Sequence, residues 1–257
     1  MSATRAPSTS AERWSPTEIS ALLQALEPLT GPAVPACSVS VHDRRIELSL
    51  DTSAGTPRHV ALVQAGRLIG AVEKALRALG WAPRTVIAGM PGARPLAVVA
   101  GTRRRPATPM DLARRRLDRR PGRGASPRYA APADNARVID VAHAAGSRGA
   151  WLHLINGPTR DGNPAWQSPG SVPPDTLTLD LPWRRDPVVA VCTHTDSARE
   201  AVVAGIVVEW AIVEAALRGL RADVYVDAFD DGAVRAAVLV ADPQETGVGH
   251  AVLRLRP

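Results

Sequence analysis

Residues 62–80, Leu62-Val63-Gln64-Ala65-Gly66-Arg67-Leu68-Ile69-Gly70-Ala71-Val72-Glu73-Lys74-Ala75-Leu76-Arg77-Ala78-Leu79-Gly80, decide how this chain folds. Leu62, Ala65, Ile69, Val72, Leu76 and Leu79 recur at three-four spacing. That period predicts a long amphipathic helix over 57–79, with Gly80 ending it as a C-cap glycine would. Arg84 to Ala88 then reads as a strand, Met90-Pro91-Gly92 as a turn, and Leu96 to Ala100 as a second strand.

The same order returns in the second half. Pro187 to Thr193 reads as a strand, and Asp196 or Ser197 can cap a helix running to Leu217, with capping the main role expected of Asp196. Gly219 ends that helix. Asp223 to Ala228 then reads as a strand, Asp231-Gly232 as a turn and Arg235 to Ala241 as another strand. Gly66 and Gly80 align with Gly205 and Gly219 without a gap, and one residue of slip later Gly92-Ala93 falls on Gly232-Ala233. Matching glycines within a matching order of elements point to a duplicated α+β unit whose halves pack as an intrachain pseudo-dimer. The second helix is apolar nearly all round and belongs in the middle of that pairing. Glu209 and Glu214 interrupt its apolar run, so a helix buried inside the protein fits better than a membrane span.

Three domains of behaviour follow: a disordered tail over 1–16, a first half over 17–106 and a second half over 107–257. The tail is rich in Ser, Thr, Ala and Pro. Ile19 to Leu29 reads as a short helix, and Ser38 to Val41 with Ile46 to Leu50 as a hairpin around Asp43-Arg44. Residues 156–187, rich in Pro and Gly and carrying Trp166 and Trp183, read either as a lid or as a plain surface loop. The two tryptophans would shield a flat cofactor in the first case and anchor their own loop in the second.

The charge is concentrated. The formal net charge is +6, yet residues 103–128 hold ten arginines against Asp111 and Asp118, leaving the remainder at −2. This distribution argues for one anionic contact zone rather than a surface that coats nucleic acid. In Arg115-Arg116-Leu117-Asp118-Arg119-Arg120-Pro121 the guanidinium groups repel one another unless water, carboxylates or an anion neutralise them, with Asp118 as internal balance. A phosphate suits them, because guanidinium forks match its oxygens bidentately. Cys37 and Cys192 fit no metal or redox spacing, no apolar leader opens the chain, and a reducing cytoplasm is the expected compartment.

Several of these segments together resemble the Acg-like branch of the nitroreductase superfamily, actinobacterial proteins with two nitroreductase units fused in one chain. Arg115 to Pro121 resembles its R-R-T-D-R-R-P segment, and the helix from Gly66 to Trp81 its C-G-A-A-L…A-G-W helix. Asp161-Gly162-Asn163-Pro164-Ala165-Trp166 resembles D-G-x-P-x-W, Val191 to Asp196 resembles L-x-T-x-x-D, and Leu253 to Arg256 the closing L-L-R-L-G. The resemblance spans roughly residues 19–257 and implies a nitroreductase-like fold. It implies FMN held at the junction of the halves, its phosphate clasped by Arg115, Arg119 and Arg254, with NAD(P)H as electron donor and a small-molecule electron acceptor. Leu117 stands where the family places a hydroxyl residue, and Thr30 to Cys37 carries no Asn, Gln or Trp where the family cradles the flavin ring. Arg256 replaces the closing glycine. The implied activity is therefore an FMN-dependent NAD(P)H oxidoreductase with a weakened flavin site. The alternative is a catalytically inactive nitroreductase-fold protein that sequesters flavin or binds a regulatory partner.

No catalytic acid or base is identified. The six histidines, His42, His59, His143, His153, His194 and His250, show no i, i+4 ligand pair and no acidic or cysteine partner nearby in sequence, so no metal site is expected. No G-x-S-x-G elbow, P-loop or Rossmann fingerprint occurs, and Gly247-Val248-Gly249 reads as a strand turn. No membrane partner is expected. Nucleic-acid binding through residues 103–128 is a third reading, disfavoured because Tyr129 is the only aromatic residue nearby for stacking. The oligomeric state stays open.

Overall fold

A computed structural model describes residues 13–29, 37–50, 58–88, 94–118, 135–146, 149–156, 186–226 and 247–257. The first half contains helix α1 (Pro16–Leu26), strands β1 (Cys37–His42) and β2 (Arg45–Leu50), the long helix α2 (Arg58–Ala78), and strands β3 (Trp81–Ile87) and β4 (Ala97–Arg104). Helix α3 (Pro109–Asp118) follows. The second half contains α4 (Asn135–Ala145), β5 (Ala150–Asn156), β6 (Val188–Thr193), α5 (Ala198–Leu217), β7 (Arg221–Tyr225) and β8 (Val248–Arg256).

Each half therefore runs helix, strand, strand, long helix, strand, strand. Two four-stranded sheets result, ordered β1-β2-β4-β3 and β5-β6-β8-β7, and every neighbouring pair in them is antiparallel. The slots agree strand for strand. The protein is thus α+β, as its sequence indicates. Helix α2 packs on β2, β3 and β4, while α5 packs on all four strands of the second sheet, and α2 and α5 pack on each other. The helix pair joins the two sheets. Helix α5 is buried continuously from Ala201 to Glu209, which is why its sequence shows no polar face there.

The crossing of α2 and α5 is set by two glycines. A Cβ on Gly66 would lie 2.0 Å from the Val202 carbonyl oxygen, and one on Gly205 would lie 1.9 Å from the Val63 carbonyl oxygen. The contact is self-complementary: each glycine admits the backbone one turn before the other glycine. Farther along, Gly70 faces Ile206 and Glu209, and Lys74 reaches Glu209, so partners advance together and the helices run in the same direction. Both helices then stop in the same way, at Gly80 (φ 80°) and Gly219 (φ 73°). At the second, Gly219 N–H donates to Ala216 and Leu220 N–H to Ala215, a Schellman closure that needs the left-handed glycine.

Three expectations need correction. The tail does not reach residue 16: Ser15 caps α1, Glu18 returns the bond to the Ser15 backbone, Pro16 fills the first turn, and Trp14 is buried at 3% exposure. The α5 cap is Ser197, whose side chain accepts from Glu200 N–H, and not Asp196. The strand beside β7 is β8, so Gly247-Val248-Gly249 opens a strand instead of marking a turn. The expected strand 235–241, the turns at 90–92 and 231–232, and nearly all of the lid segment 156–187 with Trp166 and Trp183 lie outside the described residues, as do Tyr129 and the tail before Arg13.

Candidate functional site

Helix α3 carries the arginine run and lies against both central helices. It starts with the same device as α1. Asp111 N–H donates to the Thr108 hydroxyl oxygen, while the Thr108 N–H and hydroxyl both donate to Asp111 Oδ2, ahead of Pro109 in the first turn. Arg105 pairs with the same oxygen at 2.7 Å. Burial pushes the Asp111 carboxyl up, but the Thr108 bonds and then the charges of Arg105 and Arg77 outweigh it and hold it below the ordinary range. Glu18 of α1 behaves alike. Burial opposes ionisation, yet the Ser15 N–H, the Trp81 indole N–H at 2.8 Å, the Ser15 hydroxyl and Arg104 at 2.9 Å keep its carboxyl low. Arg104 also lies 3.9 Å over the Trp81 ring.

Farther along α3, Arg114 crosses to α5. Its Nε and Nη2 donate to Glu214 Oε1 at 2.9 and 2.5 Å, and Arg218 meets the other carboxylate oxygen at 2.7 Å. Arg114 also lies 5.0 Å over the Trp210 ring. Arg115, the first of the proposed phosphate ligands, is half-buried on α3. Arg119 lies outside the described residues, and so do the side chain of Asp118 and the segment 30–36 where a ring cradle would fall.

Arg254, the third proposed ligand, sits on β8 opposite Val188 and Asp223. Its Nε donates to Asp186 Oδ2 at 2.7 Å, and its Nη2 bonds the same oxygen, with both side chains largely buried. Its charge is thus met by a carboxylate from the strand β6 approach. Arg256 is paired with Asp223 at 2.5 Å, which raises its proton affinity above the ordinary arginine value.

Between α2 and α5, Glu209 occupies the space that Gly70 leaves open and receives Lys74 Nζ at 2.9 Å and Arg67 Nε at 3.3 Å. Burial drives the Glu209 carboxyl up, but Lys74 and then Arg67 overcome it and hold it below its usual value. At the other end of the helix pair, His194 packs on Trp151 with ring centroids 4.8 Å apart. Asp196 gathers with His59 and His250, from α2 and β8. Sequence spacing gave no sign of that grouping, because its members come from three separate segments.

No protein-family model matches this chain, and no curated protein matches it either. Among the described residues, no helix is long and apolar enough to cross a membrane.

Proposed function

We propose that the two halves are copies of one nitroreductase-like unit paired within a single chain. The protein would bind FMN along their seam as an NAD(P)H-dependent oxidoreductase acting on a small electron acceptor in the cytoplasm. The observation that carries this reading is the slot-for-slot agreement of the two sheets about a helix pair crossing at matched glycines. A bound FMN would supply hydride acceptance and electron release; the chain would supply position and charge.

The fit of the proposed phosphate ligands is incomplete. Arg115 is half-buried on α3, whereas Arg254 already meets Asp186, so a phosphate there would have to displace or adjoin a carboxylate. The alternative keeps the same fold without redox chemistry, sequestering flavin or binding a regulatory partner, and the Arg254–Asp186 pair favours the partner-binding form of it.

Titrating the purified protein with FMN, then adding NADPH, separates the two. Bound flavin that bleaches with NADPH supports the oxidoreductase, and bound flavin that stays oxidised supports sequestration. Absence of binding refutes both flavin readings. If Arg254 holds the phosphate, Arg254→Ala lowers FMN affinity at least tenfold, and Asp186→Asn raises it.

A further inference from the structure

His250 is completely buried on β8, beside Thr193 at the end of β6. The Thr193 hydroxyl donates to the Thr195 carbonyl oxygen at 2.9 Å. Its proton is therefore spent, and the 2.6 Å contact with His250 Nε2 makes that nitrogen the donor. His59, in the first turn of α2, places its Nε2 3.1 Å from the His250 carbonyl oxygen, which can only accept. Both Nε2 atoms thus act as donors, so in the neutral form of each ring Nδ1 is the electron-pair donor. One potential ligand atom from each of His59, His250 and Asp196 lies within 4.8 Å of the other two. Fixed tautomers, each held by an outer acceptor, are what metal-bound histidines require.

We propose that His59, Asp196 and His250 form a binding site for a divalent transition-metal ion of the zinc class. Two imidazoles and one carboxylate suit such an ion and leave a fourth position for water, which the exposure of Asp196 permits. The rings now stack, with centroids 5.1 Å apart and planes at 17°. A tetrahedral ion with bonds of about 2.0–2.1 Å sets its ligand atoms about 3.4 Å apart, so binding draws ligands inward. His250 is the fixed ligand, pinned by Thr193. Exposed Asp196 would rotate onto it, and half-buried His59 would turn while keeping its Nε2 on the His250 carbonyl oxygen. The N-terminal ends of α2 and α5 oppose a cation there, and the charge of Asp196 offsets them. The ion would join His59 of the first half to Asp196 and His250 of the second, fastening the seam beyond the glycine crossing.

The experiment uses the full chain stripped of metal, without flavin, so its outcome is independent of the function proposed above. Zn²⁺ is titrated in competition with a chromophoric chelator, Co²⁺ is added for its visible spectrum, and thermal unfolding is followed with and without Zn²⁺. The expected result is one Zn²⁺ per chain, a rise in Tm, and an intense low-coordinate Co²⁺ band. His59→Ala and Asp196→Ala each weaken binding more than tenfold, while exposed His143→Ala leaves it unchanged. Thr193→Val, which removes the outer acceptor, weakens it about 10–100-fold. No binding at micromolar Zn²⁺, or equal binding by wild type, His59→Ala and Asp196→Ala, overturns the site.

Discussion

Replacing Gly66 by alanine tests the helix crossing on which the whole architecture turns. The new Cβ would start 2.0 Å from the Val202 carbonyl oxygen and 2.8 Å from Gly205 Cα. A carbon rests about 3.3 Å or more from a carbonyl oxygen, so the helices must part by more than about 1 Å. The obstructing atoms are backbone, and no side-chain rotation relieves them. Overpacking of this kind costs about 1–3 kcal/mol and sometimes more, and a clash with rigid backbone belongs at the upper end. The better helix propensity of alanine returns about 1 kcal/mol. A net loss of about 2 kcal/mol is expected, which for a protein of this size lowers Tm by roughly 4–8 °C. Gly205→Ala should cost a similar amount, because its Cβ would start 1.9 Å from the Val63 carbonyl oxygen. Since either substitution forces the same separation, the double variant should fall short of the summed losses by more than about 0.5 kcal/mol. Thermal and urea unfolding of the three variants provide the measurement. A neutral or stabilised Gly66→Ala refutes the close crossing.

Two further outcomes follow from the buried groups. Glu209 is held below its ordinary pKa, so the stability it lends is fully present above the unfolded carboxyl value of about 4.3 and is lost as pH falls through the lower folded value. Glu209→Gln, which removes the carboxylate charge facing buried Lys74 and Arg67, should cost about 3–5 kcal/mol at pH 7 in urea unfolding and flatten the acid limb; an unchanged acid limb contradicts the trio. Burial pushes the Cys37 thiol up to about 11, and Cys192 is fully buried, so iodoacetamide at pH 7.5 should label neither in the native protein and both after denaturation. Rapid native labelling of Cys37 would show that its surroundings are wetter than described.

The long helices were legible because little but local periodicity is needed to define them: five apolar positions on α2 with Leu79 just beyond, and a nearly all-apolar α5, each stopped by a glycine at positive φ. The hairpin of β1 and β2 was equally local. What escaped is what only tertiary pairing decides. That residues 248–256 pair beside β7 shows only in contacts such as Tyr225 with Val252, which join segments far apart in sequence. Helix α3 does carry a local signal, since Thr108-Pro109 followed by Asp111 is a readable helix start. The partners of the candidate site had no local signal. Arg114 finds Glu214 100 residues away and His59 finds His250 191 residues away.

Those distant partners change what the arginine run means. Arg104, Arg105 and Arg114 go to Glu18, Asp111 and Glu214, tying α1, α3 and α5 to one another and to the end of β4. This part of the local positive charge is accounted for by the fold, with no anion required. Within α3, a phosphate clasp would draw on Arg115 and Arg116, which occupy the last turn. That end of a helix presents carbonyl oxygens and the negative pole of its dipole, which favour the arginines and repel a phosphate. An anion held there finds no N–H groups at the end of α3 itself and leans on guanidinium forks. Arginine at 115 could then not be exchanged for lysine without loss, because a compact ammonium offers no planar pair of donors.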